Sequence, residues 1–172
     1  MSLNPLIYSR LQAGQKVLHA AGTSGNRLDR TRFAPVEGLH RGAYVLSDPD
    51  DGRPELILMS SGSEVHTVLE AAGRLEKAGK RVRVVSMPSW ELFLDQPPAY
   101  RKEVLPPDVP LRIAVEPGAS QGWHRFIGDR GRVIGLDHFG ASAPAPVLYE
   151  EFGITAERVE QEALQMLEEG GA

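Results

Sequence analysis

The chain has 172 residues and a formal net charge of −4, with 41% hydrophobic and 24% charged residues. These values are ordinary for one globular domain that buries an apolar core. Cysteine is absent, which excludes disulfide scaffolds, thiolate metal sites and cysteine nucleophiles. We expect a cytoplasmic protein without a membrane partner, because no apolar run approaches the ~20 residues of a membrane-spanning helix and no signal-peptide pattern follows Met1.

The first forty residues are predicted to form a linker or leader segment that is partly flexible. Residues 22–26 form a break of glycine and small polar residues, and residues 28–38 show no clear period. Residues 1–42 hold six basic residues against two acidic ones. Because the basic residues are scattered and lack interleaved aromatic residues, we predict a solvated segment and no nucleic-acid partner.

The folded domain is expected to occupy residues 41–172, where the pattern becomes regular. Short apolar runs predict strands near residues 43–46, 56–59, 81–86, 111–115 and 133–136. The run LILM at residues 56–59 is continuously apolar and bounded by turn residues, which is typical of a strand buried on both faces of a parallel sheet.

The clearest helix follows this buried strand. Its apolar residues recur on one face at helical spacing: Val65, Val68, Leu69, Ala72 and Leu75. Ser61 and Glu64 have the spacing of a capping box, and Gly79 suits the position just after the helix. Together with the flanking strands, this helix predicts a βαβ unit with parallel strands.

Further helices are predicted near residues 88–91, 99–104, 122–127, 146–152 and 156–167, the last capped by Thr155. Alternating strands and helices indicate an α/β fold. We predict a three-layer αβα sandwich around a mostly parallel, roughly five-stranded sheet, whose strand order the pattern leaves open.

The corner Ser61-Gly62-Ser63 lies between a buried strand and a helix N-terminus, where exposed amides could bind an anion. It matches neither the dinucleotide fingerprint nor the P-loop, so a simple helix cap is the competing interpretation. Glu116 follows a predicted parallel strand at the end where such sheets often place functional groups. Two interpretations of Glu116 stay open: a structural carboxylate that serves an interface, and a catalytic carboxylate. Two also stay open for Trp123: packing in the core, and an interface anchor.

Other candidate sites are weak. Ser142 lacks the second glycine of a nucleophile elbow, with Pro144 in that place, so we interpret it as a helix cap. The five histidines are far apart in the sequence and predict no metal site.

Residues from Leu28 to the end resemble the C-terminal third of transketolases. The segments that carry the resemblance are LDRTRFAPVEG at 28–38, GAYVL at 42–46, SGSEV at 61–65, RVVSMPS at 83–89, Glu116, Gly122-Trp123, DHFGASAP at 137–144 and FGIT at 152–155. They occur in the family's order over about four fifths of the chain. The start departs from the family, since Leu11 stands where a glutamine is expected.

The resemblance implies a parent enzyme that moves a two-carbon ketol unit between sugar phosphates, using thiamine diphosphate and a divalent metal, magnesium. In the family these cofactors are held by other domains, while the C-terminal domain packs against those domains and stabilises a homodimer. We therefore expect no catalytic, cofactor-binding or metal residue in this chain, and we expect interface residues at Glu116, Trp123, Asp137 and Phe139. An isolated domain of this kind is also expected to expose large apolar patches and to self-associate.

Two alternatives stay open. The chain could be a stand-alone small-molecule or anion-binding module that uses Ser61, Gly62 and Ser63. It could also be an enzyme of independent chemistry centred on Glu116, Asp137 and His138, which requires these side chains to converge in one pocket.

Overall fold

The computed structural model describes residues 28–29, 31–138 and 144–170. The predictions for Phe139, for Ser142 and for residues 1–26 lie outside the described residues.

Five strands form one sheet. They are β1 (Tyr44–Ser47), β2 (Leu56–Ser60), β3 (Val82–Ser86), β4 (Arg112–Val115) and β5 (Arg132–Ile134), in the spatial order β1-β3-β2-β4-β5. Only β1 is antiparallel to its neighbour β3, while the pairs β3–β2, β2–β4 and β4–β5 are parallel. The predicted mostly parallel, five-stranded sheet is therefore confirmed.

Helices lie between the strands and after the last one. A 3₁₀ helix, Val36–Arg41, precedes β1. The α-helices are α1 (Val65–Lys77), α2 (Trp90–Leu94), α3 (Pro98–Val104), α4 (His124–Ile127), α5 (Ala145–Glu151) and α6 (Ala156–Gly170).

The sheet separates two apolar cores. Every residue of β2 is buried, and its side chains alternate between the two faces. Leu56 and Leu58 pack in the core formed with α1 and α6, whereas Ile57 and Met59 pack in the core formed with α2, α3 and α4. Full burial of such a side chain contributes about 1.5–3 kcal/mol. Two cores, one on each face, confirm the three-layer αβα sandwich.

The sequence predicts the end of helix α1 correctly but not its beginning. The Lys80 N–H donates to the Leu75 carbonyl at 2.9 Å and the Gly79 N–H to the Glu76 carbonyl at 2.9 Å, with φ +75° at Gly79. This is a Schellman motif. The predicted capping box is wrong, because Glu64 precedes the helix in helical conformation and no side chain caps it. The Ser61 hydroxyl donates elsewhere, to Glu116.

Part of the segment predicted as a linker lies against the folded body. Leu28 and Phe33 pack against the core beneath α1 and α6, and Leu39 of the 3₁₀ helix is buried in it. The Ala34 N–H donates to the Leu46 carbonyl of β1 at 3.0 Å. These contacts attach the described part of this segment to the first strand.

Adding a methyl group at two glycines with positive φ is expected to lower the unfolding free energy by different amounts. Gly79 (φ +75°) has open space where a Cβ would lie, whereas a Cβ at Gly122 (φ +96°) would lie 2.5 Å from Trp90 Cζ3. We expect Gly79→Ala to cost about 1 kcal/mol of backbone strain. Gly122→Ala should cost about 1–3 kcal/mol more, because the Trp90 ring must move within a packed core. Urea unfolding measures both, and equal losses would contradict this account of Gly122.

Candidate interface at the carboxyl edge of the sheet

The carboxyl ends of β2, β4 and β5 meet at one edge of the sheet because these strands are parallel. The segments that follow them, residues 61–64, 116–123 and 135–138, form this carboxyl edge. The last two run side by side: the Glu116 N–H donates to the Ile134 carbonyl at 3.0 Å, and the Leu136 N–H donates to the Gly118 carbonyl at 2.8 Å. The segments that follow β4 and β5 therefore lie together, with bonded residues 18 positions apart in the chain.

A hydrogen bond joins the segments after β2 and β4. The Ser61 hydroxyl donates to Glu116 Oε2 at 2.5 Å, and the two side chains are partly buried. Burial raises the pKa of the Glu116 carboxyl, and the nearby Glu64 carboxylate raises it further. The hydrogen bond from Ser61 opposes this shift because it favours the charged form.

Trp123 lies inside the core of this chain. Its side chain is fully buried and stands edge-on to Trp90, with ring centroids 5.2 Å apart. The indole N–H has no hydrogen-bond partner of normal geometry among the described residues. Its weaker polar contact with the Glu116 carboxylate is the smallest of the influences on that group's pKa. Of the two interpretations of Trp123, core packing is the one that its burial supports, since no partner can reach the ring.

A second polar cluster centres on Glu64, which is only 1% exposed. Its Oε1 accepts from the Ser63 hydroxyl at 2.5 Å and from the Tyr149 hydroxyl of α5. Burial and the hydrogen bond to Glu64 raise the pKa of Tyr149 to about 12. The sequence did not predict the hydrogen bond between Glu64 and Tyr149, because no local pattern links two residues 85 positions apart.

Asp137 lies at the exposed side of the same edge. Its carboxylate accepts from the Ser120 backbone N–H at 2.9 Å and from the Ser120 hydroxyl at 2.8 Å. These two bonds lower its pKa, the backbone one more strongly. The ring of His138 stands edge-on to Phe152, with centroids 5.3 Å apart.

The hypothesis of independent chemistry requires Glu116, Asp137 and His138 to converge. In the part of the chain that is described, the hydrogen bonds place Glu116 with Ser61 and Asp137 with Ser120. The two carboxylates thus belong to separate groups, and the geometry gives this hypothesis no support.

The Ser61-Gly62-Ser63 corner is also poorly suited to an anion. Both serine hydroxyls donate to carboxylates, those of Glu116 and Glu64. A bound phosphate would have to replace these bonds and would lie beside two carboxyl groups. The geometry therefore favours a structural role for the corner over the anion-binding hypothesis.

The cofactors implied for the parent enzyme meet the same obstacle. A diphosphate beside Glu64 and Glu116 would have to displace the serine hydroxyls that are bonded to these carboxyl groups. Within the described ranges, no three His, Asp or Glu residues are grouped so that they could hold a metal ion. The geometry therefore gives no support to a site for thiamine diphosphate or magnesium at this edge.

Val147 on α5, at 54% exposure, is the one large hydrophobic side chain among the described residues that is more than half exposed. Other aromatic and aliphatic residues are half-buried and pack with part of their surface against the two cores. The expectation of large apolar patches and of self-association stays a prediction.

The fold and this edge define a known class of module. Residues 42–155 match the family described as the transketolase-like TK C-terminal domain. The chain belongs to this family, as its motif segments predict.

The relatives that it resembles are transketolases. Transketolase 10 of Craterostigma plantagineum is 50% identical over 138 residues, which cover 79% of this chain and 20% of the relative. The chloroplastic transketolase of Solanum tuberosum is 45% identical over 153 residues, covering 88% of this chain and 19% of the relative. The solved transketolase from Leishmania mexicana superposes with a TM-score of 0.71 at 42% identity, over 79% of this chain and 19% of that one. The chain thus spans about a fifth of the length of these relatives.

The names of the relatives do not decide in which cellular compartment this chain is found. One of them is named as a chloroplast protein, so similarity does not confirm the expected cytoplasmic location. Among the described residues, the structure contains no helix with the length and apolar character needed to cross a membrane.

The raised pKa of Glu116 predicts a pH-dependent effect of Glu116→Gln. A carboxyl whose folded pKa is raised binds its proton more tightly in the folded state, so its favourable contribution at low pH is lost as pH rises. We expect the unfolding free energy of the wild type, relative to that of E116Q, to fall as the pH rises from the ordinary pKa of a glutamate side chain through the raised pKa of Glu116. Glutamine keeps an oxygen that can accept from Ser61.

Asp137→Asn is the matched control, for which the pH dependence of the difference in unfolding free energy is expected to have the opposite sign. Because the pKa of Asp137 is lowered, its contribution is present above its ordinary pKa and lost as pH falls. Urea unfolding at several pH values should therefore show the two differences moving in opposite directions. Parallel curves for E116Q and D137N would refute the assigned environment of Glu116.

Proposed function

We propose that this chain is the C-terminal structural and dimer-stabilising domain of a transketolase and that it is catalytically silent on its own. The parent reaction is the transfer of a two-carbon ketol unit between sugar phosphates with thiamine diphosphate and magnesium. The observation that carries the proposal is coverage: the chain matches only about a fifth of each transketolase, at 42–50% identity.

The carboxyl edge is the proposed contact surface toward the other domains and the second subunit. Its support is that residues 61–65, 116–123 and 137–138, which belong to family-like segments, lie at this one edge. The polar clusters of Glu64 and Glu116 stabilise the edge within the chain. The exposed Asp137, and the exposed Val147 of α5, the helix that Tyr149 bonds to Glu64, are available to a partner. A mixed polar and apolar surface of this kind is usual for contacts between domains of one chain.

Silence of the isolated chain follows from the same edge. Catalysis by a thiamine enzyme needs the diphosphate and its metal to be held, and a diphosphate here would have to displace the serine hydroxyls bonded to Glu64 and Glu116. We therefore assign both the cofactor and the sugar-phosphate site to the parts of the parent enzyme that this chain does not match. The absence of cysteine fits the cytoplasm as the proposed compartment.

Titration of the 172-residue chain with thiamine diphosphate and magnesium tests the proposed silence. We expect no heat of binding by calorimetry and no ketol transfer from a ketose phosphate donor to an aldose phosphate acceptor. The complete Leishmania mexicana transketolase, measured in parallel, shows that the assay works. Micromolar cofactor binding or turnover by this chain would refute the proposal.

A further inference from the structure

A basic groove lies at the opposite edge of the sheet, away from the carboxyl-edge clusters. It has a volume of about 600 Å³ and is lined by α2, α3, α4 and the segments that lead into β4 and β5. Its lining contains five cationic side chains and one carboxylate, that of Asp129. This is a local excess of positive charge in a chain whose net charge is −4.

Arg112 holds the wall of this groove in place. Its guanidinium donates to the carbonyls of Val109 at 2.9 Å, Pro106 at 2.7 Å and Phe126 at 2.7 Å. These bonds tie the segment before β4 to the end of α4. The groove therefore has a wall that is formed before any ligand arrives, which reduces the ordering cost of binding.

The other four cations lack ionic partners. Among the described residues, none of the ion pairs includes Arg101, Lys102, Arg125 or Arg130, although Asp129 lies in the same lining. Most arginines elsewhere in the described chain do pair with carboxylates, for instance in the cluster between β5 and α6. Four unpaired cations around one groove repel one another, and a bound anion would relieve that repulsion.

Arg101 supplies an unused donor. Its Nε is buried and has no hydrogen-bond partner within the described ranges, while the side chain as a whole is only partly buried. No hydrogen bond or ion pair among the described residues uses the guanidinium, so a ligand oxygen in the groove would gain a charge-assisted hydrogen bond from its terminal nitrogens.

We propose that this groove binds an organic phosphate. The phosphate oxygens accept from Arg101 and the neighbouring cations, and the organic part lies on the apolar lining, which includes Leu94 and Leu105. Three of the four unpaired cations are arginines, whose planar guanidinium matches phosphate oxygens in pairs. The volume is that of a pocket for one small molecule and favours such a ligand over an extended acidic peptide. This inference does not depend on the proposed role of the carboxyl edge.

Calorimetric titration of the 172-residue chain with ATP, without magnesium, tests the site. Inorganic pyrophosphate is the second probe because it carries the charge without an apolar body. We expect ATP to bind and pyrophosphate to bind at least about tenfold more weakly, since burying a few apolar groups is worth that factor. A hexaglutamate peptide is the third probe. No binding of ATP at 1 mM (on the order of the weakest affinity that would matter), equal affinity for pyrophosphate, or binding of the peptide alone would each overturn the proposal.

Variants locate the binding. Arg101→Met keeps the apolar stem and should weaken ATP binding by about tenfold or more, the value of one charge-assisted hydrogen bond. Arg125→Gln with Arg130→Gln changes two exposed side chains, so it tests the groove even if R101M folds poorly. Lys77→Gln with Lys80→Gln removes two cations outside the groove lining and is the matched control. An equal loss in the control pair and the groove pair would overturn the proposal.

Discussion

The burial of β2 on both faces is the constraint on which the rest of the structure depends. A central strand without a polar residue facing solvent requires helices on both sides of the sheet. Its neighbours β3 and β4 are parallel to it, so their side chains extend the same two cores. Parallel strands also send their following segments to a single edge, which is how the residues around Ser61, Glu116 and Asp137 come to lie together.

The two edges of the sheet differ in charge. At the carboxyl edge, the carboxylates of Glu64 and Glu116 accept from hydroxyl groups, and the loops are bound to one another. At the amino edge, Arg112 is satisfied by carbonyls, while Arg101 and its cationic neighbours have no ionic partner in the described part of the chain. The small net charge of the chain conceals this separation. It explains why the corner after β2 is unsuited to an anion whereas the groove before β4 attracts one.

Local patterns predicted the elements well. The apolar run at residues 56–59, the helical period from Val65 to Leu75 and the glycine at position 79 each depend on neighbours in sequence, and each has its predicted structure. The predicted cap of α6 is likewise present, since the Arg158 N–H donates to the Thr155 hydroxyl at 3.2 Å.

Contacts across long sequence separations could not be predicted in this way. The capping box at Ser61 and Glu64 has a correct local spacing, yet both side chains bind partners 55 and 85 residues away. The hydrogen bond that the Ser61 hydroxyl donates to a partly buried carboxylate is stronger than the one that it would accept from a helix N–H. The strand order and the groove before β4 depend on such distant contacts too, so the sequence pattern left them open.

The family resemblance predicted the family of the chain, the transketolase C-terminal domains, without any knowledge of these distant contacts. It did not predict the role of every shared residue, and Trp123 is an example. That residue belongs to a segment shared with the family, and its ring is buried in this chain's own core rather than offered to a partner. The proposed contacts with a partner are then the exposed Asp137 of the carboxyl edge and Val147 of α5, the helix whose Tyr149 bonds to Glu64 at that edge.

Sedimentation equilibrium of a chimeric enzyme measures whether the carboxyl edge takes part in a dimer contact. Residues 42–170 of this chain would replace the matching domain of the Leishmania mexicana transketolase, with Val147→Asp on α5 beside the carboxyl edge and Arg125→Glu at the amino edge as paired variants. We expect a dimer that V147D weakens by about tenfold or more, the effect of burying one unpaired charge, and that R125E leaves unchanged. A dimer that is indifferent to V147D, or that is weakened only by R125E, would contradict it.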